Sequence, residues 1–560
     1  MKPTDMGNKL KDLFSKKNIK NTFGRKNIKG LIFGTSITKK MFRIYFFLLL
    51  VFAILLYLPI SFQSFSQNGF IDYYDNAYHF IYQNPDLTFN NNYTFDFFDA
   101  LFISFSAFTN TGLSIGAPVQ VFSIFGSVVL MFAIQLGGFG IMFFVFLFWK
   151  MVNKLDKLSI NNMLLAQSEK GNTKIGDTPK MLARSTLWIL SIEIIFAFIY
   201  SFWFYTQPAF LQVAGSNGFL TNSTDYNHYY NNYGNSLFAG FFHSISSINN
   251  AGFDIIGSSS LAPYRYGPHN FFLFLTSIEF IIGGIGFPIL YDIVNKFKME
   301  RTYKINMFKK TFGIGKIRFD KLHKFSLFTK LSVSTYFIVS LVAIPLTLLF
   351  EMTPGFGPSL FWTSEIQGLS QTDKVMQLIF QSFSTRSAGF STFNLDYLNP
   401  TTKWLFSVLM FIGGSPSSTA GGIRTTTLCI CLIGIVSKLK GKSDIVIFKR
   451  RITESDSINS YVILFVGFII IGIGGFILSF STFNTTASVF TNAIFLSSSA
   501  FGTTGLSVMN IDQVDPFGKI YLMVLMFIGQ FSISSTILSF NRKKLKSNRF
   551  RYLTENVKIG

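Results

Sequence analysis

The chain has 560 residues, of which 49% are hydrophobic and only 14% charged, with mean hydropathy +0.39. Soluble chains carry about 25% charge, so this composition excludes an ordinary soluble enzyme. It also excludes a disordered protein, which lacks apolar content. The formal net charge of +22 would suggest nucleic-acid binding, but its placement argues otherwise. Residues 1–43, 150–184, 296–330, 438–451 and 541–560 hold 43 of the 49 Lys and Arg, and every one of these stretches flanks an apolar run. That is the positive-inside pattern of a multi-pass membrane protein. It predicts cytoplasmic termini, no nucleic-acid partner, and basic faces that attract anionic lipid. Cys429 and Cys431 share one apolar run and form neither a disulfide scaffold nor a metal site.

In chain order, residues 1–40 read as a basic cytoplasmic tail. The apolar run 41–60 follows it, too long and without a small-residue cleavage site for a secretory signal, so it reads as a retained helix. The basic stretches then divide the chain into four units, at 41–155, 181–300, 325–440 and 455–541, and leave 542–560 as a basic cytoplasmic tail. Each unit reads as a spanning helix, an outside loop, a short segment, a Gly turn and a second spanning helix. The first helices are expected near 41–60, 186–206, 327–350 and 458–480. The second are expected near 118–149, 269–295, 404–436 and 516–540. The outside loops 61–96 and 207–235, rich in Asn, Tyr, Ser and Gln, read as solvated. The predicted fold is therefore an all-α integral membrane protein, with eight transmembrane helices and four re-entrant pore helices around a pseudo-fourfold pore.

The repeat is visible between the paired helices. Residues 104–114 read SFSAFTNTGLS, 243–254 HSISSINNAGFD, 381–392 QSFSTRSAGFST and 496–507 LSSSAFGTTGLS. Each is a Ser-rich stretch, a small or polar run, then Gly followed by Leu or Phe. Such a segment, roughly 12 residues against the 20 needed, is too short to span a bilayer. Its Gly permits positive φ and close backbone approach. Non-helical backbone at membrane depth survives only where it lines water or is buried in protein. Four Gly turns aimed at one axis would form rings of carbonyls that replace a cation's hydration shell. The residues expected to build that filter, with a cation at their backbone carbonyls, are Thr109, Asn110, Thr111 and Gly112; Asn249, Asn250, Ala251 and Gly252; Ser387, Ala388 and Gly389; and Thr503, Thr504 and Gly505. Thr385 is a further candidate to support a turn.

These four segments, with GGIGFP at 283–288 and FIGGSPSSTAGGIRTTT at 411–427, resemble the Trk/Ktr/HKT superfamily of potassium-translocating subunits, most nearly the bacterial KtrB and TrkH type. The resemblance covers roughly residues 41–540. It implies membrane–pore–membrane repeats, a homodimer with one pore per subunit, and a cytosolic nucleotide-binding regulatory subunit of the KtrA or TrkA type. It implies no cofactor in this chain and no enzymatic activity; K+ is the transported ion, with Na+ as a candidate coupling ion. In the family, Ser in place of the first filter Gly accompanies sodium transport, and Gly112 here favours potassium. A sodium or mixed K+/Na+ transporter of the same fold is the alternative.

The stretch 413–422 should break its helix, having Gly413, Gly414, Gly421, Gly422 and a Pro among hydroxyls such as Ser415. In the family this is an intramembrane gate below the filter. Related subunits carry an Arg after FIG in the final helix; here Gln530 stands there, and two readings stay open: the inner pore has a lower barrier and leaks more, or Arg424 beside the gate, unless it only faces the cytoplasmic headgroups, provides the positive charge instead. The glycines of GGFG (137–140) and GGIG (283–286) and Gly529 are read as close-packing positions. Glu193, Glu279 and Arg424 are charged groups within apolar runs, with Asp292 near a cytoplasmic end; for the two Glu the readings that stay open are function, a place near an interface, or pairing inside the bundle. Asp254, Asp396 and Asp512 follow three of the turns, as cation attractors or as plain loop charge. Arg386, inside the third turn, is expected to point away from the axis and brace the turn.

Overall fold

A computed structural model gives the fold of residues 37–62, 69–74, 77–82, 92–115, 122–140, 178–209, 229–256, 260–311, 325–356, 359–363, 369–442, 444–481 and 489–533. Residues 1–36 of the expected tail 1–40, the expected tail 542–560 and the stretch 141–177 lie outside these residues, and residues 37–40 already belong to the first helix.

Four long helices open the units: α1 (Ile37–Tyr57), α4 (Thr178–Thr206), α8 (Leu327–Met352) and α12 (Glu454–Ser481). Four short helices follow: α2 (Phe97–Phe108), α5 (Tyr233–Ile248), α9 (Gln371–Ser384) and α13 (Val489–Gly502). Each short helix packs against the long helix before it, and the Ser-rich sequence supplies the bonds. Ser104 Oγ donates to Leu49 O (2.8 Å), Ser244 Oγ to Glu193 O (2.8 Å) and Ser497 Oγ to Ile471 O (3.3 Å). In the third unit Ser382 Oγ meets Thr347 Oγ1 at 3.1 Å. A hydroxyl that meets an acceptor is cheap to bury, so the interior tolerates its many Ser and Thr. Apolar side chains fill the core but also face outward: Leu187, Phe202, Leu341, Phe465 and Phe480 are exposed on the long helices. A wide exposed apolar surface around an interior that also holds many hydrogen-bonded hydroxyls suits a lipid solvent.

The second helices begin where their caps dictate. α3 (Ile124–Phe139) is capped by Ser123, α10 (Pro400–Phe411) by Asn399 and α14 (Pro516–Phe531) by Asp515, the last two with Pro at the first turn. All four are interrupted: the break in the third was expected at 413–422, whereas the first, second and fourth were expected to run unbroken to 149, 295 and 540. α3 stops at Gly140 (φ 83°) and α14 at Ser532 (φ 67°). α6 (Asn270–Ile285) is parted from α7 (Phe287–Thr311) by Gly286 at φ 99°. The widest gap, 412–424, separates α10 from α11 (Thr425–Leu439). The glycine pairs therefore do two things. Gly137, Gly283 and Gly529 allow close packing: a Cβ on them would lie 2.0, 2.0 and 1.9 Å from the carbonyl oxygens of Phe108, Ile248 and Phe501, the ends of short helices. Gly140 and Gly286, three residues beyond the first of each pair, are breaks. In consequence, four helices among the described residues are long and apolar enough to cross a membrane, namely Arg184–Thr206, Gly267–Ile285, Leu327–Met352 and Glu454–Ser481.

The first outside loop is not wholly irregular, and the fold is not all-α. Strands β1 (Gly69–Tyr74), β2 (Ala77–Tyr82) and β3 (Asn92–Phe95) form an antiparallel meander, with Gly69 opposite Tyr82 and Tyr78 opposite Phe95. GFIDYY and AYHFIY are aromatic and β-branched runs with strand propensity, a local signal the Asn-rich surroundings obscured. A second small hairpin, β4 (Val446–Ile447) and β5 (Arg450–Arg451), lies between α11 and α12.

Candidate functional site

The four short helices end in the same way. A residue with positive φ stands two places before each Gly: Asn110 (52°), Asn250 (56°), Ser387 (74°) and Thr503 (46°). The glycines follow at 87°, 68°, 81° and 87°. The amides of Thr111, Ala251 and Thr504 reach back five residues to Ser106, Ser246 and Ser499 at 2.8, 2.8 and 2.9 Å; in the third turn Ala388 N reaches Ser384 O at 3.0 Å. These bonds satisfy carbonyls that a helix end leaves free. Asn takes the left-handed region readily, whereas a β-branched Thr503 there is strained and must be held by its surroundings.

The turns meet in a closed cycle. A Cβ on Gly112 would lie 2.3 Å from Ala251 O; on Gly252, 2.8 Å from Ala388 O; on Gly389, 2.0 Å from Thr504 O; and on Gly505, 2.2 Å from Thr111 O. Each Gly thus abuts the carbonyl that precedes the next Gly, and the fourth returns to the first. Only Gly fits at such a crowded backbone meeting point. Side chains cross-link neighbouring turns. Asn110 Nδ2 donates to Asn249 O (2.8 Å), and Ser387 Oγ donates to Gly502 O (2.7 Å) and Thr503 O (2.9 Å). Thr109 and Thr111 hydroxyls pair at 2.8 Å, and Thr385 Oγ1 donates within its own helix to Ser382 O. All these side chains are buried. The C-terminal ends of four helices, each with partial negative charge, converge on this ring, which suits a cation and repels an anion.

The 412–424 gap is an ordered loop pressed against the ring. A two-residue bridge pinches its ends: Gly413 N donates to Ile423 O and Ile423 N to Phe411 O, both at 3.0 Å. Its middle docks on the α6–α7 break, where Ser415 N reaches Gly284 O and Phe287 N reaches Ser417 O, each at 3.1 Å. It touches three of the four turns. Thr419 Oγ1 donates to Asn250 Oδ1 (2.9 Å), Gly421 N to Ser387 Oγ (3.1 Å), and Gly421 lies against the Thr503 side chain. Arg386 is fully buried over the Tyr336 ring, 4.6 Å from its centroid, and donates to Gly413 O at 2.7 Å. It braces the loop rather than its own turn. Arg424 donates to Ala420 O and, at 2.9 Å, to Gln530 O, and Gln530 Nε2 reaches Thr419 O at 3.4 Å. Every residue expected at the site, from Thr109 to Gln530, thus lies in the ring, in the loop or on their shared boundary.

Other candidates fall outside it. Asp396 pairs with Lys403 at 2.7 Å. Asp254 accepts from Ile256 N at 3.2 Å. Asp292 caps α8 through Ser326 N and Thr329 Oγ1. Sequence reasoning missed three contributors: Thr419, the buried Asp99–Lys519 pair (3.2 Å) joining α2 to α14, and Gln135, which joins Glu193 to Asn249. Residues so far apart in sequence carry no local signal of their contact.

A ring of four Gly turns at the ends of four short helices, inside a bundle with an apolar exterior, is the architecture of a membrane transport protein. The chain belongs to the TrkH family, described as cation transport proteins, whose model matches residues 71–552. It is 35% identical over 570 residues to an uncharacterized cation transporter of Mycoplasma genitalium, covering 94% of this chain and 98% of that protein. It is 30% identical to the Ktr system potassium uptake protein D of Bacillus subtilis, covering 83% of this chain and 90% of that protein. The crystal structure of the potassium transporter TrkH from Vibrio parahaemolyticus shares the fold, with TM-score 0.52 and 17% identity over 80% of this chain and 79% of that one.

Proposed function

We propose that the chain is the pore-forming subunit of a potassium uptake system of the Trk/Ktr type. The closed cycle of Gly112, Gly252, Gly389 and Gly505 carries this reading. The carbonyls of Thr111, Ala251, Ala388 and Thr504, held by turns that side chains cross-link, replace the hydration shell of K+. The loop 413–422 is the gate beneath that filter, fastened by Arg386, Ser387, Arg424 and Gln530. In this reading the chain has four membrane–pore–membrane repeats and eight spans, the second helix of each repeat being interrupted just past the filter. Both termini are cytoplasmic and the protein lies in the cell membrane. The Ktr name of a relative 30% identical supports potassium as the ion. A homodimer and a nucleotide-binding regulatory subunit that moves the gate complete the proposal, with the basic faces meeting that subunit or anionic lipid.

The test is flux through the purified protein in proteoliposomes. Wild type should carry K+ in preference to Na+, and Gly112→Ser should lower that preference, since a Cβ at 112 drives into Ala251 O. An unchanged ratio in a folded, active Gly112→Ser protein removes this turn from the filter. A wild type that carries both ions equally supports the sodium or mixed-cation reading instead.

A further inference from the structure

Glu193 is a carboxylate in the middle of α4, and neither filter nor gate as described requires it. It is 7% exposed. Among the described residues no Lys, Arg or His pairs with it. Its partner is an amide: Gln135 Nε2, on α3, donates to both carboxylate oxygens, at 2.9 and 3.2 Å. Gln135 Oε1 in turn accepts from Asn249 Nδ2 at 2.8 Å, and Asn249 Nδ2 also donates to Ile245 O at 2.8 Å. Asn249 begins the second turn, and its backbone oxygen is the one that Asn110 of the first turn holds. A short relay therefore runs from Glu193 through Gln135 to the junction of two turns.

The direction of the relay follows from donor and acceptor inventories. Gln and Asn side chains each have a donor end and an acceptor end that are nearly equal in shape, so two facing amides are satisfied in either sense. Two carboxylate oxygens that both accept break this symmetry. They draw Gln135 Nε2 toward themselves, which leaves Oε1 facing Asn249, which points Asn249 Nδ2 at Gln135 and Ile245. The opposite sense would present Asn249 Oδ1 to the Ile245 carbonyl, two acceptors face to face. A carboxylate inside an apolar helix is costly, so one that serves only to order an amide has a positional task.

We propose that Glu193 is a positioning residue that fixes the orientation of Asn249 through Gln135, and thereby the cation selectivity of the ring. This rests on the ring being the filter. The sense of the Asn249 amide decides whether the second turn is anchored to Ile245, and so where its backbone sits against Asn110.

The experiment measures K+ and Na+ flux in proteoliposomes for the full chain and its variants. Glu193→Gln keeps the shape but removes the carboxylate's share of the bias, leaving only the Ile245 carbonyl to orient the Asn249 amide, and should lower the K+/Na+ ratio by roughly threefold to tenfold, the scale of one net hydrogen bond between neutral groups. The exchange Glu193→Gln with Gln135→Glu should restore it, because a carboxylate at 135 accepts directly from Asn249 Nδ2. A residue with a merely structural role would not be rescued in this way. Gly252→Ser is measured in parallel as a probe of the filter itself. A wild-type ratio in Glu193→Gln beside a changed one in Gly252→Ser overturns the proposal and leaves the filter standing. Wild-type ratios in both overturn the filter and the proposal with it. Should Glu193→Gln yield no folded protein, Gln135→Met cuts the relay at its middle and is read against the same two outcomes.

Discussion

Arg424 ties together two parts of the molecule that must separate if the loop is a gate. Its guanidinium holds Ala420 O at the end of the loop and Gln530 O near the end of α14. Arg424→Gln shortens the side chain, which then reaches at most one of the two. A hydrogen bond from a charged donor contributes about 1.5–3 kcal/mol net. Losing that much from the closed state alone raises the open-to-closed ratio by about 10- to 150-fold. The variant should therefore show higher basal flux without a regulatory partner, and a higher open probability in single-channel recordings. Gln530→Arg offers a guanidinium from the other side of the same gap. Added to Arg424→Gln, it should bring flux back toward wild type by holding the loop carbonyls at Thr419 and Ala420. Unchanged flux in Arg424→Gln, with normal expression and thermal stability, would refute the latch and remove Arg424 from the gating account.

Deleting Ser415–Ser418 removes the bonds of Ser415 and Ser417 to the α6–α7 break and should raise partner-free flux; a folded deletion protein as slow as wild type shows that the loop is not the barrier. Arg386→Met replaces a buried cation by an apolar chain of similar length and frees Gly413 O, so flux should rise while the thermal midpoint stays within a few degrees; a fall in flux contradicts the bracing role. Lys519→Met leaves Asp99 buried without its cation, a loss of about 3–5 kcal/mol that should lower the thermal midpoint, and Asp99→Asn in the same chain should recover most of it. Ser244→Ala removes the contacts to Glu193 O on α4 and to the buried Glu279 carboxyl on α6 and should cost about 1.5–3 kcal/mol, read as a fall in thermal midpoint with no change in ion preference.

The ring was legible in the sequence because it is built four times from local pieces. A Ser-rich helix, an αL residue and a Gly leave their mark within a dozen residues, and four copies in the same setting mean one axis. The gap at 412–424 was legible for the same reason, since four Gly and a Pro cannot continue a helix. The breaks at Gly140, Gly286 and Ser532 were not. One Gly in an apolar run signals packing as much as interruption, and Ser532 carries no breaking signal at all. The β1–β3 meander was hidden by an Asn-rich context whose average outweighed two short aromatic strands. What joins the ring to its surroundings was illegible in principle: the Glu193–Gln135–Asn249 relay and the Arg424–Gln530 contact unite residues from different units, the Arg386 brace joins residues far apart within the third unit, and no spacing rule connects them.

In the proposed reading the four Gly turns bind the transported cation through the carbonyls of Thr111, Ala251, Ala388 and Thr504. Rubidium, a heavier analogue of potassium, tests this directly by its anomalous scattering in crystals of the purified protein grown in its salt. A filter at this ring gives an anomalous peak in direct contact with these four oxygens, lost when sodium replaces rubidium. A ring free of anomalous density, with rubidium bound elsewhere in the bundle, would contradict it.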